Sequence, residues 1–304
     1  AYISIEPDDK LVTGLYDDKI ELEISDIYYK YYVDAANGDD ENTGDSLISA
    51  RQTLQSVVSD AEEGDTIFVK QGMYSPIVSQ NKSITIVCLD GEANTIIDGG
   101  GETRCAYLGS GTSQTNTVLV GFTLRNGLHS MGAGAYGGTL KNCVIENCRA
   151  TQRGGGVCYS VLEDCQLRDN TAAQYGGGAF MSELHRCLVT GNKSIGSYGG
   201  GIMDSDAYDC IIQRNEAATY GGGAGFSRIY NCTIIGNHSV RNGGGVCDCT
   251  AVNSIIWDNT TNLANTNYCN HCETYGAYNC TTPLMPGDGN IDSNPILRGA
   301  EFGG

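Results

Sequence analysis

Residues 154–178, GGGVCYSVLEDCQLRDNTAAQYGGG, span one full unit of a repeat that recurs along the chain. Glycine triplets end at intervals of 22, 23, 22 and 22 residues, and cysteine, asparagine and serine recur in step with them. Repeats this regular indicate a solenoid in which like residues stack on like. The four columns are Gly156, Gly178, Gly201, Gly223 and Gly245; Cys143, Cys165, Cys187, Cys210 and Cys232, continued by Ser254; Asn170, Asn192, Asn215, Asn237 and Asn259; and Ser160, Ser182, Ser205 and Ser227, continued by Cys249.

Short strands form each repeat. Cys165 and Leu167 alternate with the polar Gln166 and Arg168, and the same alternation recurs at the later cysteines. This two-residue period indicates strands of a few residues that end at turns. The sequence therefore predicts an all-β fold, a single-stranded right-handed parallel β-helix (solenoid) of about 22 residues per coil. Successive coils should lie about 4.8 Å apart.

The repeated residues have physical roles in such a coil. Asparagine at a turn tolerates a left-handed backbone and passes amide hydrogen bonds to the copies above and below. Glycine triplets mark sharp turns or close approaches where a Cβ atom would clash. The inward cysteines are expected to stay reduced as small apolar fillers. The alternative is a bridge between neighbours, because a Cα spacing of about 4.8 Å lies within disulfide range.

The two ends of the rod differ from its middle. Ala50–Glu63 is predicted to form a short capping helix, with Leu54 and Val58 on its apolar face and Gly64 as its stop. The predicted organisation is an N-terminal extension over 1–30, a first strand and capping helix over 31–65, and a parallel β-helix over 66–304.

Segments at both ends carry a resemblance to a known family. They are Tyr31-Tyr32-Val33-Asp34, Asn37-Gly38-Asp39, Gly64-Asp65-Thr66-Ile67, Gly72-Met73-Tyr74, Asn253–Asn259 and Gly289–Pro295. From about residue 31 to 304 the chain resembles secreted bacterial right-handed β-helix proteins of the pectate-lyase-like superfamily, and its glycine-triplet repeats are similar to those of non-catalytic surface members. The resemblance implies the fold. It leaves the function open, because the superfamily includes lyases, hydrolases and non-catalytic proteins.

Charge and composition exclude several functions. The formal net charge of −18 opposes binding to nucleic acid and to anionic membrane surfaces. No apolar run reaches the length of a membrane span. Fourteen cysteines in an acidic, glycine-rich chain favour an oxidising compartment, so we expect a secreted, extracellular or cell-surface protein.

A strand near the N-terminus has no evident partner in the repeats. Ile20, Leu22 and Ile24 alternate with acidic residues, and the chain stops at Gly304 without an evident cap. An unpaired strand at one end and an open edge at the other predict head-to-tail self-association by strand addition. The alternatives are that the extension pairs along its own rod or belongs to an adjoining domain.

The outward columns of the repeat contain no evident group of catalytic residues. No outward column gathers three carboxylates, and the stack of Asp164, Arg186 and Asp209 is better explained as a cross-coil salt bridge than as a reactive cluster. Tyr175, Tyr198 and Tyr220 should stack on one edge of the rod. Such a stripe can bind sugars, although covering the glycine turns is its simpler role.

Three further kinds of site are predicted. Disulfides are expected among Cys247, Cys249, Cys269, Cys272 and Cys280, with a zinc site that includes His271 as the alternative. A loop containing Asp34, Asp39, Asp40 and Asp45 is a calcium candidate, and a solvated acidic turn is its alternative. Calcium is the one cofactor suggested. Asn81, Asn231 and Asn279 are candidate N-glycosylation sites, provided that the source organism modifies this motif.

Three functions fit these features. The first is a structural or adhesive extracellular protein, a subunit of a head-to-tail surface filament. The second is a carbohydrate-active enzyme, either a polysaccharide lyase or a glycoside hydrolase. The third is a non-catalytic sugar-binding module. Polysaccharide is the expected partner of the last two.

Overall fold

A computed structural model describes residues 29–110, 117–263, 267–269 and 274–295. Within these ranges the chain winds into four parallel sheets that run along one rod. One typical coil consists of Val161–Glu163, Gln166–Arg168, Thr171–Ala172 and Ala179–Phe180, which lie in the first, second, fourth and third sheets respectively. The predicted right-handed parallel β-helix of about 22 residues per coil is confirmed.

The first two sheets contain the longer strands. The strands of the first sheet are Lys30–Val33, Thr66–Val69, Thr85–Cys88, Val118–Val120, Thr139–Lys141, Val161–Glu163, Glu183–His185, Asp206–Tyr208, Arg228–Tyr230, Thr250–Val252 and Tyr275–Ala277. Those of the second sheet are Gly72–Tyr74, Thr95–Asp98, Thr123–Arg125, Val144–Glu146, Gln166–Arg168, Leu188–Thr190, Ile211–Gln213, Thr233–Ile235, Ile255–Trp257 and Cys280–Thr281.

The other two sheets consist mainly of two-residue strands. The strands of the third sheet are Ile77–Val78, Ala106–Tyr107, Ala135–Tyr136, Val157–Cys158, Ala179–Phe180, Ile202–Met203, Ala224–Gly225 and Val246–Cys247. Those of the fourth are Leu128–Met131, Arg149–Arg153, Thr171–Ala172, Lys193–Ser194, Glu216–Ala217, His238–Ser239 and Thr260–Thr261.

The core is a narrow column of apolar side chains inside the coils. Leu162, Leu167, Ala172 and Ala179 come from the four strands of one coil, and all are fully buried. Gln166 is exposed on the same strand as Leu167, as the alternation predicts. Because each residue pairs in register with its counterpart, these contacts continue from coil to coil and exclude water.

The asparagine ladder supplies backbone partners at one corner of every coil. Asn192 Oδ1 accepts hydrogen bonds from the backbone N–H and the Nδ2 of Asn170, both at 3.0 Å. Asn170 Nδ2 also donates to Ile145 O at 2.8 Å. The same bonds run through Asn215, Asn237 and Asn259 and end at Asn267. The predicted ladder is confirmed.

The cysteine and serine columns accept hydrogen bonds from backbone N–H groups in the same way at two other corners of each coil. The backbone N–H of Cys143 donates to Cys165 Sγ at 3.4 Å, and at the far end that of Cys232 donates to Ser254 Oγ at 3.1 Å. In the serine column the N–H of Ser160 donates to Ser182 Oγ at 3.3 Å. The predicted order of both columns is confirmed.

The glycine triplets lie where neighbouring coils meet most closely. A Cβ atom on Gly177 would lie 2.3 Å from Gly200 O, well inside van der Waals contact. At Gly176 the backbone has φ of +62°, a conformation that disfavours side chains. The triplet therefore combines a left-handed turn with a close approach.

The capping helix is shorter than its apolar spacing suggests. It covers Leu54–Asp60 and not the predicted Ala50–Glu63. Arg51 forms a bridge with Val33, so that position is extended, and Ala61 leaves the helix at ψ of 142°. Asp40 fixes the start from a distant loop, because its carboxylate accepts the N–H groups of Gln52 and Thr53.

The first strand already belongs to the β-helix. Lys30–Val33 pairs in parallel with Thr66–Val69, and the helix follows between them. Ile20, Leu22 and Ile24 lie outside the described residues, as do residues 296–304, so assembly by strand addition remains a prediction. Within the described ranges, no helix is long and apolar enough to cross a bilayer.

Replacing Asn215 with Ala tests the ladder. The change removes the acceptor of Asn192 N–H and the donor to Val189 O, both buried. We expect the free energy of unfolding to fall by about 2–4 kcal/mol, since buried polar groups lose their partners. Urea denaturation followed by circular dichroism measures it. The exposed Asn94→Ala is the control and should change stability by less than about 0.5 kcal/mol. Equal stabilities would contradict the role of the ladder.

Candidate ligand groove

A stack of side chains forms one wall of a groove along the third sheet. Tyr175, Tyr198 and Tyr220 occupy successive coils, with ring centroids 6.4 Å and 5.0 Å apart. The predicted stacking is confirmed. Arginines cover both ends, because Arg153 lies 5.5 Å from the ring of Tyr175 and Arg241 lies 6.0 Å from that of Tyr220. The rings thus cover each other's faces, and the stack mainly presents ring edges.

The opposite wall consists of the residues that precede the serine column. Tyr159, Met181, Asp204 and Phe226 all have left-handed backbones, with φ between 48° and 56°. This conformation costs about 1–2 kcal/mol for a residue with a side chain. It is imposed by the corner, because the following serine turns inward. Met181 and Phe226 are 41% and 46% exposed.

The floor of the groove is a small apolar cluster outside the main core. Cys158, Phe180 and Met203 share one column of the third sheet and are buried. A cavity of about 340 Å³ lies above Phe180 and Met203 and is also lined by Arg153 and Tyr175. A second cavity of about 380 Å³ adjoins it toward the first sheet and is lined by Tyr159 and Arg228, among others. Both have a size suited to small ligands, and the row of Met181, Asp204 and Phe226, which lines both, stands between them.

Charged groups line the groove beside the apolar surface. Burial raises the pKa of Asp204, and the positive charge of Arg153 acts in the opposite direction. Asp206 is paired with Arg228, whose Nε donates to it at 2.6 Å. Glu183 is bonded to His185 at 2.7 Å. Two of the three acids are therefore engaged, and Asp204 is the acid that shares the groove with Arg153.

A larger cavity of about 710 Å³ lies beside Tyr74 and Gly100. Its one charged residue, Asp98, already accepts bonds from Arg125 Nε at 2.7 Å and Asn126 Nδ2 at 3.1 Å. The smaller groove is the better candidate, because it contains Arg153 and Asp204, neither of which forms an ion pair among the described residues.

Two members of the charge stack Asp164, Arg186 and Asp209 form the predicted cross-coil salt bridge. Arg186 donates to both oxygens of Asp164, at 2.8 Å each. Among the described ion pairs, Arg186 is joined to Asp164 and not to Asp209. The pair joins neighbouring coils.

The calcium candidates are used within the loop. Asp34 accepts bonds from Lys70 and from the N–H groups of Ala36 and Asn37. Burial opposes its charge, but these bonds outweigh burial and lower its pKa to about 2. Asp40 accepts the N–H of Thr53, Asp39 accepts the N–H of Glu41, and Asp45 accepts a hydrogen bond from Ser49 Oγ. In the described part of the chain, no three acidic, cysteine or histidine side chains are placed to hold a metal ion.

No disulfide joins two of the described cysteines, so the predicted bridges have no counterpart there. Cys249 lies in the buried serine column, whereas Cys247 lies on the neighbouring third sheet. Cys269 and Cys280 are buried as well. Cys272 lies outside the described residues, so pairing with it remains a prediction.

One glycosylation candidate is wrong. Asn279 is fully buried, accepts the N–H of Ser254 at 2.9 Å and donates to Ala251 O at 2.8 Å. It continues the cysteine column, so its amide is not accessible to a transferase. Asn231 is exposed and Asn81 is half-buried, and modification of either remains a prediction.

The residues of each groove wall share a position in the repeat, although they do not share a residue type. Tyr159, Met181, Asp204 and Phe226 differ in type, but each immediately precedes a serine of the internal column. Arg153 likewise precedes a glycine triplet, in the position of the tyrosines. Aligning every position of the repeat would have identified both walls.

The fold and this groove define a class. The chain is a right-handed parallel β-helix protein with a ligand-sized groove on its aromatic edge. Residues 93–299, about two thirds of the chain, match the family described as "Periplasmic copper-binding protein (NosD)". The chain belongs to the NosD family. No curated protein matches it significantly.

Solved structures share the fold. Pectate lyase Pel9A superposes with a TM-score of 0.55 at 14% identity, over 82% of this chain and 74% of the lyase. XylC in complex with xylose gives 0.48 at 11% identity, over 86% of this chain and 70% of XylC. A rhamnogalacturonan lyase gives 0.46 at 13% identity, over 86% and 84%. The likeness to Pel9A confirms the expected pectate-lyase-like fold, and identities this low show the fold alone.

The family description implies copper, and the described residues do not fit it. The sulfur side chains of the groove are Cys158, Met181 and Met203. Phe180 separates Cys158 from Met203 in their column, and Met181 is exposed on the wall opposite the tyrosines. Burial raises the pKa of Cys158 to about 12, which disfavours the thiolate that a metal requires. The stacked thiols also fit poorly, since each is buried and bonded to backbone groups, as Cys165 is to Leu140 O.

Alkylation tests the state of the stacked thiols. We expect Cys165, Cys187 and Cys210 to remain unmodified by iodoacetamide in the native protein, because burial blocks access of the reagent to the sulfur atoms. In denaturant without reductant all three should be labelled. Peptide mass spectrometry reports both. Labelling of the native column, or bridges within it, would contradict the packing described.

Proposed function

We propose that this protein is a glycan-binding β-helix of the periplasm or the extracellular space, which holds an extended saccharide along its groove. The observation that carries the proposal is the groove itself, where apolar walls meet charged side chains over several coils. The walls run from Arg153 to Phe226 through four coils, about 14 Å at the spacing of parallel coils. This length suits a chain of sugars better than a compact metabolite.

The composition of the groove matches the two kinds of surface that a sugar presents. The exposed parts of Met181 and Phe226 offer apolar contact to the C–H face of a pyranose. Asp204, Asp206 and Arg228 offer acceptors and donors to its hydroxyl groups. Ring edges of the tyrosine stack add to the wall.

The fold is compatible with this choice of ligand. The similar structure Pel9A is described as a pectate lyase, so this fold can carry a protein that acts on a saccharide chain. The family is described as periplasmic, which supports a location outside the cytoplasm. A net charge of −18 favours solubility there.

Binding is favoured over turnover by the state of the acids. Glycoside hydrolysis generally requires two carboxyl groups that flank the scissile bond. Asp206 and Glu183 are engaged with Arg228 and His185, which leaves Asp204 as the one acid not committed to such a pair in this groove. Glycan binding also agrees with the adhesive surface role predicted from the repeats.

Phe226→Ala tests the groove. Loss of the exposed ring should weaken saccharide binding about ten-fold, because one apolar contact is removed. A glycan array identifies ligands and isothermal titration calorimetry measures the affinities. Ile195→Ala is the matched control, because Ile195 is 49% exposed but lines neither cavity of the groove. Equal losses in both variants, or no ligand on the array, would overturn the proposal.

A further inference from the structure

Arg153 differs from Arg104, which also stacks on rings of this edge. The Arg104 guanidinium lies 5.3 Å and 4.9 Å from the rings of Tyr107 and Tyr136. It also donates to Gly132 O and Met131 O, and it is bonded to His129 Nδ1. Arg104 is therefore a satisfied structural cation.

Arg153 has the same stacking and none of these partners. Its guanidinium lies 5.5 Å from the Tyr175 ring and 5.2 Å from the Phe180 ring. Its Nε is buried and has no hydrogen-bond partner among the described residues. Nor does any described carboxylate form an ion pair with it, although Asp204 is close enough for its pKa to be affected.

The position of this cation gives it access to a ligand. Arg153 lines the cavity of about 340 Å³ at one end of the groove, and two rings hold its guanidinium plane in place. A guanidinium presents its donors as a planar fork that matches an oxyanion, and stacking on rings leaves the edge of that fork free. The buried Nε–H of Arg153 costs free energy as long as it has no hydrogen-bond partner.

We propose that Arg153 is the subsite for a negatively charged oxygen group on the bound glycan, either a carboxylate or a sulfate ester. The inference rests on the proposed function and narrows its ligand to acidic glycans. Asp204 lies beside this subsite and repels an anionic ligand while it is ionised. The subsite therefore recognises charge at one end of the groove, and the walls around Met181 and Phe226 recognise sugar rings without regard to charge.

Four probes and four variants test the subsite. The probes are a galacturonate hexamer, its methyl ester as the neutral match, dextran sulfate, and dextran as its neutral match.

Arg153→Met keeps an apolar contact with the rings, and methionine is compatible with the column because Met131 occupies the same position one coil earlier. Arg153→Lys keeps the positive charge but removes the planar arrangement of guanidinium donors. Arg241→Gln is the control, because Arg241 stacks on Tyr220 and lines neither cavity. Asp204→Asn removes the repelling charge.

We expect at least one anionic probe to bind more tightly than its neutral match. Arg153→Met should weaken that binding about ten-fold or more, since a charge-assisted bond is lost. Arg153→Lys should be intermediate, Arg241→Gln unchanged, and Asp204→Asn tighter. Titration calorimetry gives the affinities, and preference for the uronate or for the sulfate identifies the group. Thermal melts of each variant confirm that it is folded.

The outcomes separate this inference from the proposed function. If neutral and anionic probes bind equally, and Phe226→Ala weakens both while Arg153→Met weakens neither, the subsite is wrong and glycan binding stands. If Arg153→Met and Arg241→Gln reduce the affinity for the anionic probe equally, the net charge of the protein explains the effect and the subsite is also wrong. If no glycan binds, both proposals fail.

Discussion

The structure depends on the need to satisfy backbone groups at the corners of every coil. The parallel sheets are interrupted where the chain turns, and the N–H groups there are buried. Side chains of the adjacent coil meet this need, as Asn192 does for Asn170 and Ser182 does for Ser160. A coil can stack only if the right residue returns to the same corner, which fixes the length of the repeat.

The exception in the spacing supports this view. One interval of 23 residues separates Gly178 from Gly201, yet all three ladders continue across it. The extra residue lies between Asn192 and Tyr198, in the connection that runs from the fourth sheet to the third. Insertions are tolerated there because that connection is outside the ladders. The same constraint creates the groove, since a left-handed residue must precede each inward serine and its side chain then stands on the surface.

Residues that recur were predictable, and residues that do not recur were not. The cysteine and asparagine columns could be inferred because identical side chains return at one period. Asn279 was misjudged because the step from Ser254 to Asn279 is 25 residues, which hides its place in the cysteine column. The helix ends were misjudged because Asp40, distant in sequence, fixes the first turn. One groove wall combines Tyr, Met, Asp and Phe at one position of the repeat, so no recurring residue type marked it, although each of these residues precedes a serine of the internal column.

The family description and the residues of this chain point to different ligands. Cys158 and Met203 are separated by Phe180, whereas the surface of the third sheet joins apolar walls to Arg153, whose Nε has no hydrogen-bond partner among the described residues. Members of one fold commonly differ in this way, because the coils are fixed by the core and the outward residues are free to vary. The surface to which we assign ligand binding is the one with the shortest strands.

Hydrogen–deuterium exchange with and without the galacturonate hexamer tests whether a saccharide binds along the two walls. We predict slower exchange in residues 153–161, 175–183, 198–206 and 220–228, which carry the two walls, and no change in strands of the second sheet such as Gln166–Arg168. Protection centred on the second sheet, or beside Asp98 and Asn126, would contradict the assignment of the groove.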